Sequence, residues 1–319
     1  MESQKEPNTN DLPYPQFRTT NDEIDLRQLL KTLWDSKWII ILTTLVFAVG
    51  SVFYSLSLPN IYKSDALLAP ADSSSNSGLS GMGGQLGGLA ALAGVNIGNG
   101  EISKSDLAVK IMKSRQFIGE FIKKHDLLVP LMATKGWDLT NDSLIYNEKV
   151  YNSKTGQWLR EPNGVFTSQP TKQEAYDVFS EKIFNIIEDK ESGLYTITVK
   201  HYSPNVARQW VSWLVEDINE VMRKRSIADA SRNLRYLNSQ LNKTSIADMQ
   251  NTFYKLIEEQ TKSLMLAEVQ EEFVFKIIDP AITPEQKFEP KRAVICILIT
   301  FLGLALSIIF VLMKFAFKK

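Results

Sequence analysis

The side chains able to do chemistry in this chain are few and scattered. His125 and His201 stand apart, with no HExxH around either, so a zinc hydrolase has no ligand set here. Each is expected to be a surface or packing residue. The one cysteine, Cys296, lies within an apolar run, which excludes both a disulfide framework and a thiolate cluster and makes a poor nucleophile. No GxSxG elbow is present, and the glycine cluster between residues 78 and 100 matches neither GxxxxGK[ST] nor GxGxxG, so there is no recognisable phosphate cradle. The carboxylate pairs Glu258/Glu259 and Glu271/Glu272 have the right type for acid–base work. They share polar helix faces with Lys255, Lys262 and Lys276, however, and are expected to be solvated charge. No catalytic, cofactor-binding or metal-ligating residue is expected, and the chain is not expected to be an enzyme. Binding and assembly remain.

The elements that would position such an activity begin with two apolar stretches. Residues 38–58 and 293–313 are each 21 residues long without a charged side chain. As helices they are long enough to cross roughly 30 Å of hydrocarbon. For the first, Ser55 and Ser57 would suit a signal-peptide cleavage site, but the apolar core is long and the preceding 37 residues are rich in acid. For the second, a buried core helix is the competing reading, and an apolar surface on every side suits lipid better. Arg27, Lys31 and Lys37 precede the first span and Lys63 alone follows it, which keeps the N-terminus cytoplasmic and, with two spans, the C-terminus as well. Lys287, Lys291 and Arg292 before the second span balance Lys314, Lys318 and Lys319 after it. Trp34 and Trp38 fit an aromatic belt. Thr44 with Ala48, and Gly303 with Ser307, make small-xxx-small faces that would let the two helices approach closely.

The expected layout is therefore a tail (1–37), a span (38–58), a periplasmic domain (59–292), a span (293–313) and a tail (314–319). At 319 residues and 44% hydrophobic content the chain has ample material for this layout, and 36 basic against 36 acidic residues exclude a general nucleic-acid grip. Residues 73–100 also lack charge, but Gly78, Gly81, Gly83, Gly84, Gly87, Gly88, Gly94, Gly98 and Gly100 weaken any helix there. A loop is expected, with Leu79, Leu86, Leu89 and Leu92 available to pack on another subunit or lean on the bilayer.

Between the spans the pattern is mixed α and β. Residues 61–69, 194–202 and 273–278 are extended, β-branched and aromatic, and could share one sheet near the membrane. Helices are expected over 105–125 and 171–188. Ser203 and Pro204 supply a cap and first turn for a long helical region, 204–272. Its stripe runs through Val206, Trp210, Trp213, Leu214, Ile218 and Val221, then Leu234, Leu237 and Leu241. A break at 243–245 precedes a second stripe of Ile246, Met249, Phe253, Leu256, Gln260, Leu264 and Ala267. Both stripes suit packing within the chain or between subunits. Pro280, Pro284 and Pro290 fix φ and remove donors, which makes 279–292 a stiff connector or an ordinary proline-rich linker.

Four segments in order complete the reading: EIDLRQLLKTLWDSKWIII from Glu23, the Gly/Leu/Ala loop, LIEEQTKSLMLAEVQEEFVFKIIDPA from Leu256, and PEQKFEPKRA from Pro284. Together they resemble the Wzz polysaccharide chain-length determinants, or polysaccharide co-polymerases, over almost the whole chain. The sharpest part is the closing block with Asp279, Pro280, Pro284, Pro290, Lys291 and Arg292. The resemblance implies an α+β protein of the inner membrane, with a membrane-proximal α/β base and a long helix projecting into the periplasm. It implies a ring-like homo-oligomer of roughly eight subunits; some relatives carry a cytoplasmic tyrosine kinase, which this chain, ending at Lys319 directly after the second span, is expected to lack. It also implies a regulator that sets, with a Wzy-type polymerase, the length of a lipid-linked surface glycan, most naturally lipopolysaccharide O-antigen. Pro280, Pro284, Pro290, Lys291 and Arg292 would then couple the domain to the polymerase; membrane lipid and the growing glycan are further expected partners. The alternatives are a co-polymerase for capsule, exopolysaccharide or enterobacterial common antigen, or a periplasmic ligand sensor or scaffold. Against the sensor, tails of 37 and six residues leave no room for a signalling domain.

Overall fold

The computed structural model describes residues 33–71 and 103–317, which fall into two compact units, 1–55 with 292–319, and 56–291. The expectations for the tails 1–32 and 318–319 and for the Gly-rich loop 73–100 lie outside the described residues. In chain order the elements are α1 (Lys37–Ser57), β1 (Tyr62–Pro70), α2 (Lys104–Met112), α3 (Arg115–Lys124) and α4 (Leu128–Met132). Two short hairpins follow, β2 (Thr134–Asp138) with β3 (Ser143–Tyr146) and β4 (Tyr151–Asn152) with β5 (Gln157–Trp158). Then come α5 (Lys172–Val178), β6 (Phe184–Asp189), β7 (Leu194–His201), α6 (Pro204–Leu241), α7 (Ala247–Val269), β8 (Phe275–Asp279) and α8 (Arg292–Ala316).

The larger unit is built on a four-stranded sheet in the order β6-β7-β1-β8, antiparallel throughout. Alternation along β7 explains which face is covered: Tyr195, Ile197, Val199 and His201 are buried while the residues between them are half-exposed. Ala66 lies opposite Ile197 on β1, and Ile186 lies opposite it on β6, so one face carries a continuous apolar row. The first five turns of α6 lie over that face and bury Trp210, Val211, Leu214, Val215, Ile218 and Met222. Helices α2 and α3 close the core with Met112, Phe117, Ile118 and Phe121.

Local sequence sets the element ends. Ser203 accepts from Val206 N–H and Pro204 fills the first turn of α6. Between α6 and α7 the chain turns at residues 242–246 and α7 packs back along α6, with Asn233 donating to Gln260 across the pair. The continuous helix expected over 105–125 is instead two helices. Ser114 accepts from Phe117 N–H, and this cap starts α3 afresh. The helix expected over 171–188 is also corrected. Helix α5 has a Thr171/Glu174 capping box but ends after two turns; Phe184 N–H then bonds back to Phe179 through a wide five-residue turn, and β6 begins. The register of β6 with β7, closed by Gly193 at positive φ, outweighs the helical pattern because it buries Phe184 and Ile186 in the sheet.

The smaller unit holds two helices long and apolar enough to cross a membrane, Lys37–Ser57 and Arg292–Lys314. Most of their large apolar side chains are exposed, among them Leu42, Phe53, Ile297 and Phe301. That pattern suits lipid as the surrounding medium, since in water such surface would be driven inward.

Candidate functional site

The connector expected from its prolines is held against the sheet along most of its length. After β8, Ser64 Oγ donates to the carbonyl of Ile282 at 2.8 Å, and Thr283 Oγ1 donates to Asn205 Oδ1 at 3.3 Å. Farther on, Phe288 N–H donates to Ile61 O at 2.8 Å, and Ile61 N–H donates to Glu289 O at 2.9 Å. These reciprocal bonds tie Ile61, just ahead of β1, to the far end of the connector. Side chains reinforce the tie: Lys200 Nζ lies 2.7 Å from Glu289 Oε1, and the ammonium groups of Lys63 and Lys200 stand 5.5 and 4.9 Å from the Phe288 ring centroid. Of the residues expected to couple this region to a partner, Pro280, Pro284 and Pro290 lie along this strap and Lys291 is exposed at its end. The fixed φ of proline keeps such a strap extended without ladder bonds of its own. The partners that hold it, Ser64, Lys200 and Asn205, were not visible as such in the sequence. A lysine alternating into the polar face of β7 is an ordinary strand residue until its neighbour is known.

In the smaller unit, Arg292 Nε donates to the carbonyl of Ser55 at 3.2 Å. Gly303 is buried, and a Cβ built on it would lie 2.5 Å from Cγ of Phe47, so only hydrogen fits there. Ser307 is buried one turn on and satisfies its hydroxyl on Leu304 O. Thr44 is half-buried, donates to Ile40 O, and lines one shallow gap with Cys296, Thr300 and Leu304. Ala48 is half-buried, with its carbonyl accepting from Ser51. The face on α1 continues through the buried Ser51 and Ser55, at the helical spacing of Thr44, Ala48, Ser51 and Ser55. The spacing that extends the face beyond Thr44 and Ala48 is present in the sequence.

The titratable groups cluster elsewhere. Asp217 on α6 is 6% exposed, and its two oxygens take Lys124 Nζ at 2.7 Å and His125 Nε2 at 3.0 Å. Lys124 also reaches Glu220 at 3.0 Å, and Glu220 reaches Lys224 at 2.6 Å. Hydrogen bonds to Asp217 and Glu220 raise the Lys124 pKa, and the two lysines hold Glu220 down to about 2. His125 stacks on Trp213 with ring centroids 4.2 Å apart. The cluster clamps the end of α3 onto α6. His201 is buried beside Trp210; its Nδ1 accepts from Ser203 N–H, its Nε2 faces Pro130 O, and burial pushes its pKa down to about 4. Neither histidine shares a metal-binding group with other ligands among the described residues. Glu258, Glu259, Glu271 and Glu272 are all exposed. Asn219, 5% exposed, is a further residue missed in the sequence: its Oδ1 accepts from the N–H groups of Val274 and Phe275, and its Nδ2 donates to Phe275 O. It fastens the start of β8 to α6.

Comparison with known proteins gives two family matches. Wzz, the chain length determinant protein, matches residues 22–125, and GNVR, a G-rich domain, matches residues 241–316. Between them they take in both apolar helices, β1, the strap and all of α7. Among solved structures, the chain is similar to a full-length bacterial polysaccharide co-polymerase at 15% identity, covering 93% of this chain and 98% of that one with a TM-score of 0.36. It is also similar to a fragment of WzzB, a polysaccharide co-polymerase from Salmonella Typhimurium, at 11% identity, covering 72% and 100% with a TM-score of 0.29.

Proposed function

We propose that the chain is a Wzz-type chain-length determinant that sets the number of repeat units a Wzy-type polymerase adds to an undecaprenyl-linked surface polysaccharide, with lipopolysaccharide O-antigen as the product. It would act as a polysaccharide chain-length co-polymerase, regulating polymerisation without catalysing it. In this reading α1 and α8 cross the inner membrane, the unit 56–291 lies in the periplasm, both termini are cytoplasmic, and the protein works as a ring-like homo-oligomer. The observation that carries the reading is the pair of family matches at 22–125 and 241–316, which enclose both apolar helices.

The strap of Pro280, Pro284 and Pro290 supports a mechanical role, with Lys291 and Arg292 continuing it into α8. A domain whose incoming and outgoing segments are bonded to each other transmits a shift at its sheet to both segments together. Thr44, Ala48, Gly303 and Ser307 would then serve as the packing face that keeps the two crossings paired. Deleting the gene should turn a modal cluster of bands in the lipopolysaccharide ladder into a distribution that falls off monotonically, and the intact gene in trans should restore the cluster. An unaltered ladder, with other surface glycans also unaltered, would sink the proposal. Reporter fusions at Asn152 and Lys319 test the topology: periplasmic at the first, cytoplasmic at the second.

A further inference from the structure

Helix α7 carries two apolar faces, and among the described residues only the inner one is packed. The inner face packs on α6, with Ala267 buried and Phe253, Ile257 and Leu264 half-buried. The outer face, near the end of the helix, forms a shallow furrow of about 530 Å³ lined by Glu258, Thr261, Lys262, Met265, Leu266 and Val269. Met265 is 62% exposed, Leu266 50% and Val269 81%. Three large apolar side chains left in water at the end of one helix make a contiguous apolar surface on which another apolar segment would gain burial.

The chain itself contains a suitable cover whose two ends are held at Phe273 and Val274, four and five residues past Val269. Residue 71, the last described before the Gly-rich segment, donates its N–H to Val274 O at 3.0 Å. Where the described chain resumes, Ser103 caps α2 and Lys104 Nζ stands 5.7 Å from the ring centroid of Phe273. Phe273 is four residues past Val269, so the segment 72–102 leaves and re-enters the fold where the furrow ends. From 73 to 100 it has no charged side chain, and it supplies Leu79, Leu86, Leu89 and Leu92. Half of the segment, extended, reaches about 50 Å, whereas the furrow from Glu258 to Val269 is only about 17 Å long. We propose that the Gly/Leu segment of the same chain docks on the outer face of α7, with its leucines against Met265, Leu266 and Val269. The glycines fit this role, since they let the backbone approach a helix surface closely. The inference is independent of the functional reading and would hold whatever glycan the protein acts on.

Cysteine pairing in the full-length protein, in native membranes and with Cys296→Ser as background, tests it. Leu86→Cys with Met265→Cys should form a disulfide within one chain under copper-phenanthroline oxidation, and Leu86→Cys with Arg232→Cys, on exposed α6, should do so several-fold less. Co-expressing the two single-cysteine chains under different tags separates the possible occupants. Disulfide-linked dimers in that mixture would show that a second copy covers the face and would overturn the proposal; equal yields at Met265 and Arg232 would overturn it too. A second measurement needs no pairing. Replacing Leu79, Leu86, Leu89 and Leu92 with Ser should speed maleimide labelling of Met265→Cys several-fold, and an unchanged rate would count against docking.

Discussion

Helix α6 is one continuous rod with two unlike halves. Its first five turns bury Trp210, Val211, Leu214, Val215, Ile218 and Met222 beneath a sheet, whereas the remainder buries only Ala230 and Leu237. Its companion α7 buries Ala267 alone. Tyr236, Ile246, Met249 and Tyr254 are all exposed on the outer part of this hairpin. The base is thus stabilised within one chain, by apolar area removed from water on both sheet and helix. The outer hairpin has only helix-on-helix contact, and its remaining apolar surface is available to other copies of the chain or other segments. The expected sensitivity to substitution follows that division.

Trp210→Ala should have the largest effect. Its side chain is 1% exposed and touches Phe179 and His201, so its removal should cost about 3–5 kcal/mol. Thermal unfolding of the full-length protein in detergent would show the loss; a midpoint within a degree or two of the wild type would break the contrast between the two halves. Asn219→Ala comes next. It leaves two buried N–H groups and one carbonyl at the start of β8 without partners, and about 2–4 kcal/mol should be lost. If Asn219→Leu proved as stable as the wild type, the polar fastening would be dispensable.

A pH dependence follows from His201. Its folded pKa, about 4, lies below the ordinary histidine value of 6.5, so the neutral ring is favoured in the fold. Its contribution is whole above pH 6.5 and is lost as pH falls from there toward 4, by roughly 3 kcal/mol. His201→Gln should flatten the stretch between 6.5 and 4.5. The steeper fall below 4.5 should stay, because Glu174 and Glu220, both held down to about 2, lose their contributions there. Denaturant midpoints across that range, for both variants, make the comparison. The smallest effect is expected for Met249→Ala on the outer hairpin, at most about 0.5 kcal/mol for a single chain. A larger loss that depended on protein concentration would sharpen the picture, since it would place Met249 against another copy.

Much of this architecture was legible in the sequence where one physical signal dominated. The uncharged runs, the β-branched stretch beginning at Leu194 and the cap formed by Ser203 and Pro204 each depend on local chemistry. So does the interruption between α6 and α7, where Asn, Lys and Thr replace the stripe. Other features depend on contacts distant in sequence. Ile186 and Ile187 are compatible with a helix until β7 is known to lie beside them. Asp217 and Asn219 look like solvent-facing interruptions of an apolar stripe, and they are buried because Lys124, His125 and the start of β8 come to meet them. The prolines of the connector were visible, but the strap they form became apparent only with Ser64, Lys200 and Ile61 in place.

The tie between Ile61 and Glu289 has a consequence for slack. Between the tie and the two apolar helices there remain only residues 58–60 on one side and 290–291 on the other. A single tether of that length would act as a swivel, because one chain can twist about its own bonds. Two short segments fastened together at one end have less freedom than two separate ones, because the bonded pair fixes the distance between their starting points. Lengthening either segment by a few glycines would leave the bonded pair of Ile61 and Glu289 intact and change only the chain length outside it.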